Sequence, residues 1–245
     1  MKNLIKKILR FFGWKLTKIK IRKPKSYAFG KPELQDFECI NSASGILHLG
    51  GHRGVEAAAY NWFNKKVLWV EAIPELFNEL SDNIQIYYNQ SAICALLGDI
   101  NNKETKFYLS NKDKSCSSVF DLSDDVKNKK LWKEHDVKID NNITLKMRTL
   151  DSVLNENKID SKDYNHWVMD LQGAELICLI GANQSIRNCK SIHIEISKKN
   201  YYDGGANWLE IKKFLNQKGF QVFKEPKNDH DDVLFIKNNL NSEIS

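Results

Sequence analysis

Short apolar runs recur along this chain and alternate with stretches of helical periodicity. The runs at 46–49, 67–70, 85–88, 92–96, 104–109, 143–148, 166–170, 191–196, 220–224 and 232–236 predict strands. Amphipathic stretches at 54–63, 75–83, 151–157, 174–181 and 206–217 predict helices between them. Ile46–Leu49 and Val67–Val70 are apolar on both faces, as a strand covered by helices on either side requires. The expected class is therefore α/β with a mostly parallel sheet. The last two runs, separated by the polar Glu225 to Asp231, read as a C-terminal antiparallel hairpin. Between about 110 and 142 the chain is polar and rich in lysine, with Trp132 and His135 embedded. That is a natural place for a substrate cap, although solvated loops share the composition.

Candidate chemistry lies where the runs end. The first closes on Gly50-Gly51-His52-Arg53-Gly54 and the second on Glu71. A glycine turn between strand and helix admits a ligand close to the backbone, and an acid at the next strand's tip is placed for ribose hydroxyls. The glycines depart from G-x-G-x-x-G, and His52 and Arg53 crowd the turn, which favours a ligand without a pyrophosphate. His166–Asp170 is a third run ending on an acid; Leu171-Gln172-Gly173-Ala174-Glu175 then turns into a helix, and Ser191–Ile196 carries Glu195 near its end. Glu71, Asp170 and Glu195 are thus expected on one edge of the sheet, where open α/β sheets bind ligands.

On these residues the sequence resembles the FkbM family of S-adenosylmethionine-dependent methyltransferases. The likeness runs through Gly50–Gly54, Glu71 with Pro74, Ser117-Ser118, Arg148-Thr149-Leu150-Asp151, Asp170-Leu171-Gln172-Gly173-Ala174-Glu175 and Ile194-Glu195. Departures fall at His48, Gly51-His52, Ala72 and Val168, where the family usually has aspartate, an Ala-Asn pair, proline and lysine. The resemblance implies a Rossmann-like class I methyltransferase fold with a seven-stranded sheet, and S-adenosyl-L-methionine as cofactor. It also implies O-methylation of a sugar hydroxyl in surface-polysaccharide or secondary-metabolite biosynthesis. The expected cofactor-binding set is Gly50, Gly51, His52, Arg53, Gly54, Glu71, Ser91, Ala92 and Asp170, with His52 and Arg53 near the methionine carboxylate.

Methyl transfer to an alcohol needs alignment and a base. Asp170 is the first candidate, with hydrogen bonding to loop or cofactor as its other reading. Glu195 either positions a substrate hydroxyl or pairs with Lys198, and Glu175 caps its helix or orients the glycine loop. His230, in the loop Asp229-His230-Asp231-Asp232, is a base, a weak metal ligand or a turn residue, and no metal is assigned. His48 and His193, inside strands, read as core residues. A competing function, an NAD(P)-dependent sugar oxidoreductase, has in its favour the spacing Tyr108-x-x-x-Lys112, which falls on a strand and turn rather than a helix.

Charge divides the chain. The net charge is +6, yet residues 1–25 hold ten Lys or Arg and no acid, so the remainder is acidic overall. Within 1–25, Leu4, Ile5, Ile8, Leu9, Phe12 and Leu16 share one helical face and Lys2, Lys6, Lys7 and Arg10 another. The segment reads as a basic amphipathic helix for an anionic membrane interface, with Phe11, Phe12 and Trp14 near the headgroups, or for packing on protein. A non-enzymatic membrane-surface module would explain this segment but not the acid-tipped strands. No specific nucleic-acid partner is indicated. A connector at 26–43 and a methyltransferase domain at 44–240 complete the expected organisation. Five cysteines without a C-x-x-C pair suggest neither disulfides nor zinc, and with no secretory signal the expected setting is cytoplasmic, peripheral at the inner membrane surface if the helix binds lipid.

Overall fold

The computed structural model describes residues 34–111, 113–133 and 135–238. The expected N-terminal helix at 1–25 and the first part of the connector lie outside the described residues. The second part of the connector is helical: α1, Leu34–Ser42, buries Cys39 and Ile40, and Cys39 packs with Leu234 and Ile236.

Then follow β1 (Gly45–Leu49), α2 (Ala57–Trp62), β2 (Lys66–Glu71), α3 (Pro74–Ile84), β3 (Gln90–Cys94), β4 (Leu96–Leu97), β5 (Lys103–Ser110) and the short α4 (Asp124–Lys127). The second half holds β6 (Ile139–Arg148), α5 (Leu150–Glu156), β7 (His166–Met169), α6 (Glu175–Gly181), β8 (Ser191–Ser197), α7 (Trp208–Gln217), β9 (Phe220–Val222) and β10 (His230–Lys237). Seven strands form the main sheet in the order β3-β2-β1-β7-β8-β10-β9. The first five are parallel, and β10 runs antiparallel to both β8 and β9. All five residues of β1 and all four of β7 are buried, which is why these runs do not alternate. Leu47, Leu49, Leu68, Trp167, Met169, Ile192 and Phe235 belong to the main core with side chains from α5, α6 and α7.

Two departures from the sequence pattern have physical causes. The run at 85–88 is a turn after α3, with Ile86 and Tyr88 exposed, because the parallel partner of β2 begins only at Gln90. Strands β4, β5 and β6 make a separate three-stranded sheet, with β6 beginning at Ile139 because Ser110 pairs with it there. The polar stretch is therefore the connection of a long β5–β6 hairpin, tied back by bridges from Tyr108 to Ser118 and from Leu122 to Tyr202. Among the described residues no helix is long and apolar enough to cross a membrane, and all five cysteines are free.

Candidate active site

Strand register aligns the acids in a row. Leu49 pairs with Val70 and Met169, and Met169 with Ile194, so the next residues, Glu71, Gly50, Asp170 and Glu195, are neighbours across the C-terminal edge. Cys94 extends the row beside Glu71, and Asp232 extends it beside Glu195. The convergence expected from sequence is present.

The half of this row around β1 and β2 is held by backbone. Glu71 is buried; its Oε2 accepts the His52 N–H and its Oε1 the Ile73 N–H, each at 2.8 Å. Burial raises its pKa even so. The glycines have internal reasons. A Cβ on Gly50, at φ +89°, would lie 1.8 Å from the Asp170 carbonyl oxygen, and one on Gly54 would lie 2.6 Å from Leu80. A Cβ on Gly51 would crowd Leu80 and Trp69 at 3.0 and 3.2 Å.

Several residues of the expected cofactor set are engaged within the protein or stand back from the row. Arg53 Nε reaches Glu79 on α3 and its Nη1 reaches Asp113 on the polar connection, both at 2.5 Å. His52 Nε2 lies 2.9 Å from the Asp113 carbonyl, and Lys114 pairs with Glu75. The His52 and Arg53 side chains thus hold the connection over the turn. Ser91 and Ala92 lie within β3 opposite Leu68 and Trp69, so Ser91 is three residues, ~10 Å, below the row. At the edge that position belongs to Cys94.

The half around β7 and β8 is held by side chains. Asp170 is open to solvent at the strand tip, and its Oδ1 accepts a 2.5 Å hydrogen bond from Gln172 Nε2. The same amide nitrogen donates to Glu195 Oε2 at 2.8 Å, and the amide oxygen accepts from the Tyr202 hydroxyl at 2.6 Å. Gln172 holds φ +53° while its carbonyl accepts from Ser118 Oγ. Gly173, at φ +93°, leaves room for the Tyr202 ring. Glu195 Oε1 lies 3.0 Å from His230 Nε2, and His230 Nδ1 lies 2.8 Å from Ser197 Oγ. His230 is the first residue of β10, not a loop residue, because it pairs with Ser197. Lys198 turns away to the Pro226 carbonyl and does not pair with Glu195. Trp132, at φ +49°, and Tyr201 flank His230 with ring centroids at 5.8 and 5.2 Å.

Crowded carboxylates set the electrostatics. Burial, with Asp170, Glu175 and Asp232 beside it, drives Glu195 well above the ordinary carboxylate range. Asp170 and Glu195, joined through Gln172, therefore take up and release protons as a pair. Burial brings Glu175 and Glu56 each to about 7, and burial with Asp170 brings Asp232 to about 6. Glu175 Oε1 accepts from the Leu171 and Gly173 N–H groups, so it orients the glycine loop. Asp151 binds Ser185 and the Gln184 N–H as an anchor.

The strand histidines are core groups. His48 stacks on Trp69 at 4.4 Å, lies 3.0 Å from the Tyr60 hydroxyl and is lowered by burial to about 3; His166, likewise about 3, lies 2.8 Å from Ser191 Oγ. Buried His193 approaches Asp36 at 3.9 Å. Tyr108 is on β5, in the second sheet; Lys112, its partner in the dehydrogenase spacing, lies outside the described residues. Among the described residues no group of His, Cys, Asp and Glu has a metal-holding arrangement.

Gln172, Tyr202, Glu56 and Asp232 were not singled out by sequence reasoning. Gln172 had a local signal, its place between Asp170 and the Gly173 turn. Glu56 lies two residues after Gly54 and Asp232 two after His230, whereas Tyr202 is joined to the edge only through the tertiary fold.

Residues 48–222 match the family model described as the methyltransferase FkbM domain. No curated protein matches the sequence. Among solved structures, the chain is similar to magnesium protoporphyrin IX methyltransferase from Synechocystis with bound SAM, at 8% identity and TM-score 0.43, over 81% of this chain and 72% of that one. It is also similar to a TehB-like SAM-dependent methyltransferase from Corynebacterium glutamicum, at 9% identity and TM-score 0.45, over 83% and 86%.

Proposed function

The chain belongs to the FkbM methyltransferase family and is an S-adenosylmethionine-dependent methyltransferase; on that premise we propose that it O-methylates a sugar hydroxyl, in surface-polysaccharide or secondary-metabolite biosynthesis. The donor set at the edge suits this cofactor. Each Glu71 oxygen accepts one backbone N–H and keeps a lone pair for a ribose hydroxyl. Carboxylates line the row, while Arg53 is committed to Glu79 and Asp113, so the edge favours a cationic sulfonium over a pyrophosphate. Gly50, Gly51 and Gly54 keep the turn close to the row, and the Asp170 end lies beside them.

When bound, the cofactor supplies a methyl group already activated for transfer. The chain's task is to align the acceptor and remove its proton. In this reading Asp170 is the base, held by Gln172 with its carboxylate open to the acceptor. Glu195, carrying the shared proton, donates to a neighbouring hydroxyl, and His230 positions Glu195. Trp132 and Tyr201 offer aromatic faces to the apolar side of a sugar ring. The observation that carries the proposal is the hydrogen-bonded chain Asp170–Gln172–Glu195–His230, which gives a base and several hydroxyl-binding groups in one place.

The test is incubation with labelled S-adenosylmethionine and a panel of oligosaccharides and nucleotide sugars, with products analysed by mass. A sugar gaining one methyl ether, lost with Asp170→Asn, is the expected result. Methylation confined to amines or carboxylates would overturn the O-methylation reading.

A further inference from the structure

The N-terminal ends of β1, β2 and β3, opposite the row of acids, carry apolar surface that neither core nor chemistry uses. Trp62 is 86% exposed, Ile86 75% and Tyr88 89%. Isolated exposed apolar residues are ordinary, whereas a contiguous group of large ones marks an interaction surface.

Contacts among the neighbours make this group contiguous. The Phe37 ring on α1 stacks with Phe63, next to Trp62, at 6.1 Å. Asn64 follows directly and accepts the Tyr88 hydroxyl at 3.3 Å. Lys65 donates to the Asn41 and Ala43 carbonyls, joining the end of α1 to the same turn. Ile86 and Tyr88 belong to the segment whose apolar composition predicts a strand but which the fold presents as a turn. Local pattern and fold disagree there, as they do at sites kept for a purpose other than packing.

Trp, Tyr and Phe beside Ile, with lysines alongside, is the composition of a membrane–water boundary, where ring bodies sit in the acyl margin and polar tips remain hydrated. The same chain carries ten Lys or Arg and no acid in residues 1–25, a charge excess that suits an anionic surface. We propose that the face formed by the end of α2 and the 85–88 turn docks on an anionic lipid bilayer, with residues 1–25 of the same chain adding electrostatic attraction. Stable peripheral binding takes two weak signals, and the chain has one of each kind. Because the face lies at the opposite ends of the strands from Asp170 and Glu195, docking leaves the row of acids open to its acceptor.

The test is co-sedimentation of the full chain with phosphatidylcholine vesicles containing one third phosphatidylglycerol, and with phosphatidylcholine alone. The full chain should bind the anionic vesicles preferentially and release as salt rises. The combined variant Trp62→Ser, Ile86→Ser, Tyr88→Ser should lose about tenfold or more of its partitioning, while its melting temperature and response to S-adenosylhomocysteine match the unaltered chain. Equal partitioning by variant and unaltered chain would overturn the proposal, as would failure of the unaltered chain to bind. A lipid-free dimer that the triple substitution dissociates would give the face to a second copy and overturn it too.

Discussion

The two halves of the sheet's C-terminal edge are built in opposite ways. Around β1 and β2 the one acid, Glu71, is fixed by two backbone N–H groups, and the glycines are fixed by what a Cβ would strike. Around β7 and β8 the acids are linked to one another and to Gln172, Tyr202 and His230 through side chains. Backbone-held groups form a receptor fixed by the main chain. Side-chain-held groups with raised pKa values exchange protons at an edge open to solvent, as acid–base chemistry requires. In the reading proposed above, the first half serves the cofactor and the second the acceptor.

The largest effect should come from the base. Asp170→Asn keeps the shape but removes the anion, so methyl transfer should fall by roughly 10² or more, with cofactor affinity little changed. Glu195→Gln imitates the protonated form assigned to Glu195, so its loss should stay below about tenfold. Reversed magnitudes, measured under identical single-turnover conditions, would exchange the roles of the two acids.

A second prediction concerns pH and the loop beneath the acids. Glu175 has a model-peptide value of 4.5 and is raised to about 7 by burial. Between those values the folded chain binds more protons than the unfolded chain, so this group's contribution is fully present below about 4.5 and is lost as pH rises through about 7. Buried His48 and His166, lowered to about 3, act in the opposite sense: they favour unfolding as pH falls from 6.5 toward 3. Glu175→Gln retains an acceptor oxygen for Leu171 and Gly173 while removing the titration. Its stability relative to the unaltered chain should improve by about 2–3 kcal/mol between pH 4.5 and pH 8, measured by denaturant unfolding at each pH. A constant difference across that range would show that Glu175 titrates normally.

The smallest effect should come from the pairs over the glycine turn. Arg53 is partly exposed and its partners Glu79 and Asp113 more so, so Arg53→Ala should cost no more than about 1 kcal/mol of stability. With its side chain committed to these partners, it should also leave S-adenosylhomocysteine affinity within a few-fold. A large loss of affinity would return Arg53 to the cofactor site expected from sequence.

What could be read from sequence follows the same division. Runs apolar on both faces, such as Ile46–Leu49 and His166–Met169, predict buried parallel strands because local composition and burial coincide, and the terminal acids follow from where those runs stop. The 85–88 run misleads because apolar composition alone cannot show that its neighbour strand starts later. Sequence reasoning puts His230 in a loop and leaves Glu195 between a substrate hydroxyl and Lys198 because the antiparallel pairing of β10 with β8 is a long-range choice. Gln172 owes its role to three partners from different parts of the chain, and only Asp170 is local to it.

The division of the edge is tested most directly by calorimetric titration of S-adenosylhomocysteine into the unaltered chain, Glu71→Ala and Glu195→Gln, with thermal unfolding run alongside. Loss of charge-assisted ribose hydrogen bonds should weaken binding to Glu71→Ala by about 1.5–3 kcal/mol, while Glu195→Gln binds as the unaltered chain does. Unchanged affinity in folded Glu71→Ala, or a larger loss in Glu195→Gln, would contradict the assignment of the two halves.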